Sequence, residues 1–250
     1  MSQVIKSPAL VVHTRRWSES SKIVELFTPH GLVRLIAKGA LRAKSPFRGV
    51  LEVLNEIEAV WHVRETRGLQ ILTQATLLNS FQGIRGDLEK TAVAFAMLET
   101  LQKLLRTGEA FPAFYAYLVQ LFGKLNKDAQ TPPVLYLWHF LIRFSEELGF
   151  ALQLDRCSVC HQVPQEFPVW FRPDTGAVVC GKCASPTEST PYVELAASEY
   201  HLLTQLQRME YPAPSVPELP NQMHRITGFL LKHLAHHTDI PLELNALKWL

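Results

Sequence analysis

The chain has 250 residues, 47% hydrophobic and 19% charged, a composition that fits a folded globular protein and excludes a disordered or collagen-like one. No apolar run nears the roughly 20 residues needed to span a bilayer, and the amino terminus lacks the apolar stretch of a secretory signal, so the chain reads as cytoplasmic. The formal net charge of +2 hides an asymmetry: residues 1–80 hold 11 Lys and Arg against six Asp and Glu, net +5, while the remainder holds 14 against 17, net −3.

The first 80 residues read as short strands: Ala9–Thr14, Lys22–Thr28, Leu32–Lys38, Glu52–Val63 and Leu69–Leu77. In the fourth, Ile57, Ala59, Trp61 and Val63 interleave with Glu58, His62 and Arg64, with Val60 as the exception, so Trp61 is expected in the core. Pro29-His30-Gly31 marks a hairpin between the second and third strands. A basic connector, Gly39–Gly49, links the third and fourth. Five strands with one longer connector suit an OB-fold, a barrel that commonly binds single strands.

After Gly86 the apolar period becomes helical, with Leu88, Ala92, Phe95, Leu98, Leu101 and Leu105 on one stripe. A second helix is expected over Pro112–Leu125. A third opens with Thr131 as N-cap and Pro132 at the first helical position, and runs to Leu148 before Gly149 with Leu135, Trp138, Ile142 and Leu148 inward. Two more, Ala196–Met209 and Asn221–His236, flank a proline-rich loop, Pro212–Pro220. The fold class is therefore α+β: an amino-terminal OB-fold β-barrel (1–80), then an α-helical domain (81–250) with a ribbon inserted at 151–186.

That insertion rests on cysteine spacing. Cys157-x2-Cys160 and Cys180-x2-Cys183 have the arrangement of a four-thiolate zinc site, and a reducing compartment favours metal over disulfides. Val169-Trp170-Phe171 and Val178-Val179, joined through Pro173–Gly176, read as a hairpin between the two cysteine turns, with Gly181 expected to give the second turn its backbone freedom. Four thiolates fill a tetrahedral shell and leave no position for a catalytic water, so structural Zn2+ is expected. An iron centre, a redox dithiol pair and four free thiols are the alternatives. His161 reads as a neighbour of the site rather than a ligand, and His233, His236 and His237 as a helix face rather than a second site.

The basic charge points to nucleic acid. Nine Lys and Arg (Lys6, Arg15, Arg16, Lys22, Arg34, Lys38, Arg42, Lys44, Arg48) face only Glu19 and Glu25 in the first 50 residues. Arg15, Arg16, Arg34, Lys38, Arg42, Lys44 and Arg48 form the expected DNA track, several of them projecting from a mobile connector; scattered solvated charges are the alternative. Trp17 and Phe47 lie beside these basics as candidates for base stacking or, equally, for core or loop packing. The ribbon, with three basics against three acids over residues 151–186, has no electrostatic pull on phosphate and is expected to stabilise.

The order of these features resembles the RecO family of bacterial DNA repair proteins across essentially the whole chain. The resemblance is carried by Glu19-Ser-Ser-Lys-Ile-Val-Glu-Leu-Phe-Thr28 before the Pro29-His30-Gly31 turn, by Ala37-Lys38-Gly39-Ala40, and by Leu148-Gly149-Phe150 before the first cysteine pair. It implies a nucleoid-associated recombination mediator that binds single- and double-stranded DNA and anneals complementary strands. It further implies that, with RecR, the protein helps load RecA onto strands coated by SSB, and that the helical region receives the acidic C-terminal tail of SSB. The barrel would contribute DNA contacts, mapping onto Arg34, Lys38, Arg42 and Lys44. The chain has no Walker-type, G-x-G-x-x-G or G-x-S-x-G motif, so an enzyme is not expected. The rival reading is a zinc-ribbon or transcription-associated adaptor whose main partner is protein.

Overall fold

In a computed structural model, the described residues are 3–63, 69–184, 192–213 and 223–249. Residues 185–186 of the expected ribbon, 214–220 of the proline-rich loop and 221–222 of the last helix lie outside them. Two compact units divide the chain, residues 1–127 with 244–250, and residues 128–243.

In the first unit, β1 (Gln3–Arg16), β2 (Lys22–Thr28), β3 (Gly31–Ala37), β4 (Glu56–Val63) and β5 (Gln70–Asn79) close a barrel in the order β1-β2-β3-β5-β4. This is the OB-like arrangement expected from the alternation. β1 is longer than its apolar centre suggested because it serves two neighbours: Gln3–Leu10 pairs with β4, and Leu10–Arg16 pairs with β2, with a register shift between Val11 and His13. Ile57, Ala59 and Trp61 point inward to Ala9, Val11, Val24, Leu26, Leu35 and Leu72, as the alternation of β4 required.

The β2–β3 hairpin turns where Pro29 and His30 stand. Thr28 Oγ1 donates to the Gly31 carbonyl at 2.9 Å and accepts the His30 N–H at 3.1 Å. Gly31 has φ +98°, and a Cβ there would meet the Glu109 carbonyl oxygen at 2.0 Å, so only glycine fits. Behind the barrel come α1 (Gln82–Arg85), α2 (Leu88–Leu104) and α3 (Pro112–Lys127). Leu88, expected on the buried stripe of α2, is instead 65% exposed, because the core face begins a turn later at Ala92. The terminal 3₁₀ turn Asn245–Trp249 lies against α2, where Asn245 Nδ2 and the Ala246 N–H donate to Glu99 at 3.2 and 3.3 Å.

In the second unit, α4 (Pro133–Glu147) starts one residue later than expected: Pro132 occupies the cap, and Thr131 lies outside the helix. Asp128, rather than Thr131, organises this entry, accepting the Gln130 and Thr131 N–H groups and the Tyr136 hydroxyl. β6 (Gln153–Cys157), β7 (Val169–Arg172), β8 (Ala177–Val179) and β9 (Val193–Leu195) form a small sheet ordered β6-β8-β7-β9. The β7–β8 hairpin is the one read from the sequence. α5 (Ala197–Arg208) and α6 (Met223–Thr238) complete the unit.

Polar contacts at both ends help hold α6 in place. His233 is buried, its ring nitrogens 2.9 Å from the Pro173 carbonyl oxygen and 2.8 Å from that of Phe150, so both engage backbone oxygens and tie the helix to the hairpin turn. Arg225 of α6 donates to the carboxylate of Glu199, which is 2% exposed and also accepts the Ala196 N–H at the start of α5.

Candidate nucleic-acid interface and metal centre

Arg15 and Arg16 end β1, and Trp17 opens a tight turn closed by the Trp17 and Ser18 N–H groups donating to the Ser21 carbonyl. Trp17 is 53% exposed, and the Arg15 guanidinium lies 5.7 Å from its ring centroid, within cation–π reach. The connector contacts this turn directly, because the Leu41 N–H donates to the Ser20 carbonyl at 2.9 Å. Arg15, Arg16 and Trp17 are thereby joined to a segment on which Lys38, Arg42, Lys44 and Arg48 are all exposed.

The connector, expected as a mobile segment, has a folded path. Successive turns fold it, with Arg42 N–H on the Gly39 carbonyl, Ser45 on Arg42, Arg48 on Ser45, and Val50 and Leu51 on Phe47. Ala40, Phe47 and Leu51 plug it into the barrel core. Phe47 is 6% exposed and packed into the barrel core, a setting that suits its packing reading. Asn55 closes the far end, its Nδ2 donating to the Gly49 and Val50 carbonyls while its Oδ1 accepts from Arg85. Arg85 also donates to the Val53 and Ser80 carbonyls, so this cation acts as a clamp on the connector's exit.

Arg34 has a different setting from the other basics. Its Nε and Nη2 each lie 2.8 Å from Oε1 of Glu25, a carboxylate only 4% exposed that also accepts from Gln102 Nε2 at 3.1 Å. Its charge is offset within the barrel wall. Lys22, counted among the basics but not assigned to the track, stands beside Arg42 and Arg48 around one cleft.

Cys157 ends β6 and is buried, Cys160 is exposed, and Cys180 and Cys183 follow β8 half-buried. The parallel pairing of Cys157 with Val178 sets the two turns side by side. Within them the Cys157 carbonyl accepts the His161 N–H, and the Cys180 carbonyl accepts those of Cys183 and Ala184, each at 2.9 Å. The left-handed residue is His161, φ +60°, not Gly181, so the backbone freedom anticipated in the second turn is used in the first.

All four sulfurs lie within 4.8 Å of one another, and those of Cys160 and Cys180 are 3.8 Å apart. Tetrahedral ligation at about 2.3 Å places sulfurs about 3.8 Å apart, so the set fits a metal. Burial pushes the Cys157 thiol up, but backbone N–H groups of Cys160, Cys180 and Val159 outweigh it and hold it at about 6. The neighbouring Cys180 and Cys160 push the Cys183 thiol up to about 12. Sulfurs crowded this closely ionise together only with a cation between them.

No helix among the described residues is long and apolar enough to cross a membrane. Residues 1–81 match the family profile described as Recombination protein O N terminal, and residues 85–245 match Recombination protein O C terminal. The chain is similar to proteins described as DNA repair protein RecO. It is 26% identical over 247 residues to that of Prosthecochloris aestuarii, covering 94% of this chain and 92% of the relative. It is 28% identical to that of Ralstonia nicotianae (95% and 82% covered) and 30% identical to that of Bifidobacterium animalis subsp. lactis (82% of each).

Proposed function

Because the chain belongs to the RecO family of DNA repair and recombination proteins, we propose that it works as a recombination mediator, not an enzyme. It binds single- and double-stranded DNA, anneals complementary strands and, with RecR, helps load RecA onto strands coated by SSB. The SSB C-terminal tail is received by the helical region, the protein acts in the cytoplasm at the nucleoid, and Cys157, Cys160, Cys180 and Cys183 hold a structural Zn2+.

The observation that carries the DNA-binding part is the Leu41–Ser20 backbone contact, which makes Arg15, Arg16 and Trp17 continuous with Lys38, Arg42, Lys44 and Arg48. Annealing brings two polyanions together, so a surface that neutralises phosphate and leaves base edges free lowers the barrier with no bond chemistry. Arg34, tied to Glu25, contributes least to this track.

Annealing of complementary oligonucleotides coated with SSB, followed at several salt concentrations, tests the reading. The wild type is expected to anneal in a salt-sensitive way without hydrolysing nucleotide. A Lys38/Arg42/Lys44 alanine variant is expected to bind single strands with a log–log salt slope shallower by about 2, at about 0.7 for each phosphate no longer neutralised. An unchanged slope places the track elsewhere, and failure of the wild type to anneal rejects the mediator.

Trp17 gives a separate signal. A single-stranded oligonucleotide is expected to quench tryptophan emission, the quenching is expected to disappear in Trp17→Phe, and stacking is worth about 1–3 kcal/mol per base. Equal quenching in the variant assigns the change to another tryptophan.

A further inference from the structure

The folded connector and the start of β2 enclose a cleft of about 420 Å³ bounded by Lys22, Leu41, Arg42, Phe47, Arg48 and Glu52. That volume falls in the roughly 300–1,000 Å³ range of small-ligand clefts. The chemistry of the wall is mixed in a particular way. Lys22, Arg42 and Arg48 bring positive charge, Leu41 is apolar and 40% exposed, and Glu52 brings a single carboxylate. Lys22 Nζ and Glu52 Oε1 are 3.6 Å apart, an ion pair too long for a hydrogen bond, so the carboxylate keeps acceptor capacity toward the cleft. The wall is also fixed: Phe47 anchors it in the barrel core, and Asn55 holds the Gly49 carbonyl beside it.

We propose that this cleft takes one unpaired nucleotide of single-stranded DNA and prefers a base that carries an amino group over thymine. The phosphate lies on Arg42 and Arg48, the base rests on Leu41, and Glu52 accepts from the amino group. Cytosine presents N4–H₂ donors to a carboxylate, whereas thymine presents the O4 acceptor at the same place and is repelled. A surface serving phosphate alone would gain nothing from Glu52, since a carboxylate weakens a phosphate site. The inference rests on the DNA-binding reading above and goes beyond it, because a track that only neutralises phosphate is indifferent to base identity.

The test uses the full-length protein with three strands of equal length at one salt concentration: oligo(dC), oligo(dT) and a strand of abasic residues. Oligo(dC) is expected to bind about fivefold or more tightly than oligo(dT), with the abasic strand weaker than oligo(dC). In Glu52→Ala, an exposed substitution, the dC-to-dT ratio is expected to fall to about one, with oligo(dT) bound no more weakly than by the wild type. Equal wild-type affinity for dC and dT, a preference that survives Glu52→Ala, or abasic binding equal to dC overturns the proposal. When the Lys38/Arg42/Lys44 variant weakens all three strands and dC still equals dT, the cleft alone fails. When that variant changes none of them, the DNA-track reading fails.

Discussion

Stripping the metal at neutral pH is expected to release one Zn2+ per chain and to abolish the cooperative melting of residues 128–243, while residues 1–127 keep their own transition. Structural zinc contributes on the order of 10 kcal/mol of apparent binding free energy, and in a site formed only by folding that energy is folding energy. The effect spreads beyond the cysteines because the ribbon is packed into its unit. The Tyr200 hydroxyl of α5 donates to the Leu154 carbonyl at 2.9 Å, and Phe171 of the hairpin stands 5.0 Å, ring to ring, from Phe229 of α6. Acid should do the same as a chelator. The ligands must be thiolates, protons compete with the ion, and the metal held at higher pH is lost as pH falls. Elemental analysis paired with calorimetry checks this. A ratio other than one zinc per four cysteines, or melting of residues 128–243 unaffected by chelation, refutes the structural-zinc assignment.

Glu199→Ala is expected to cost about 1–3 kcal/mol, the usual range for removing a buried acceptor that serves a half-exposed cation and a backbone N–H. The Glu199 side chain is 3% exposed, and Arg225 Nε is itself buried with no hydrogen-bond partner. Loss of the carboxylate leaves the buried edge of a guanidinium that is 36% exposed without its partner, and frees the Ala196 N–H at the α5 entrance as well. Denaturant unfolding of the single variants and of Glu199→Ala/Arg225→Met measures it. The double variant should recover part of the loss, since Met at 225 needs no charge compensation while the Ala196 N–H still lacks its acceptor. A loss under about 1 kcal/mol for Glu199→Ala would show that solvent compensates Arg225 fully and that the pair adds little to the unit's stability.

β4 was legible because its residues alternate inward and outward, and β2, buried along nearly its whole length, was legible as an apolar run ended by the Pro29-His30-Gly31 turn. The cysteine cluster was legible because the spacing within each pair is a local property of the chain. The connector's fold was hidden for the opposite reason. A single Phe47 among Lys, Arg, Ser and Pro has no periodicity, and its burial depends on a barrel assembled from strands on both sides of it. Gly181 failed as a marker because the left-handed geometry fell on His161, and nothing local forces that choice between two similar turns.

Arg34 is an instructive middle case. Once Pro29 and His30 are recognised as a two-residue hairpin loop, Thr28 faces Gly31, and counting outward sets Glu25 opposite Arg34, the register the structure has. The information that this cation already has a partner was therefore in the sequence, two inferences deep. A tally of basic residues does not reach it.

The way the connector is held separates two properties that its sequence seemed to mix. Its path is set by Ala40, Phe47 and Leu51 below and by Asn55 and Arg85 at its exit, while Lys38, Arg42, Lys44 and Arg48 stand on the outside. Substitutions can rewrite the outward charges without altering the scaffold beneath them. Such a loop is an interchangeable keypad on a fixed mount, open to recoding for a different strand chemistry while the barrel that carries it is left alone.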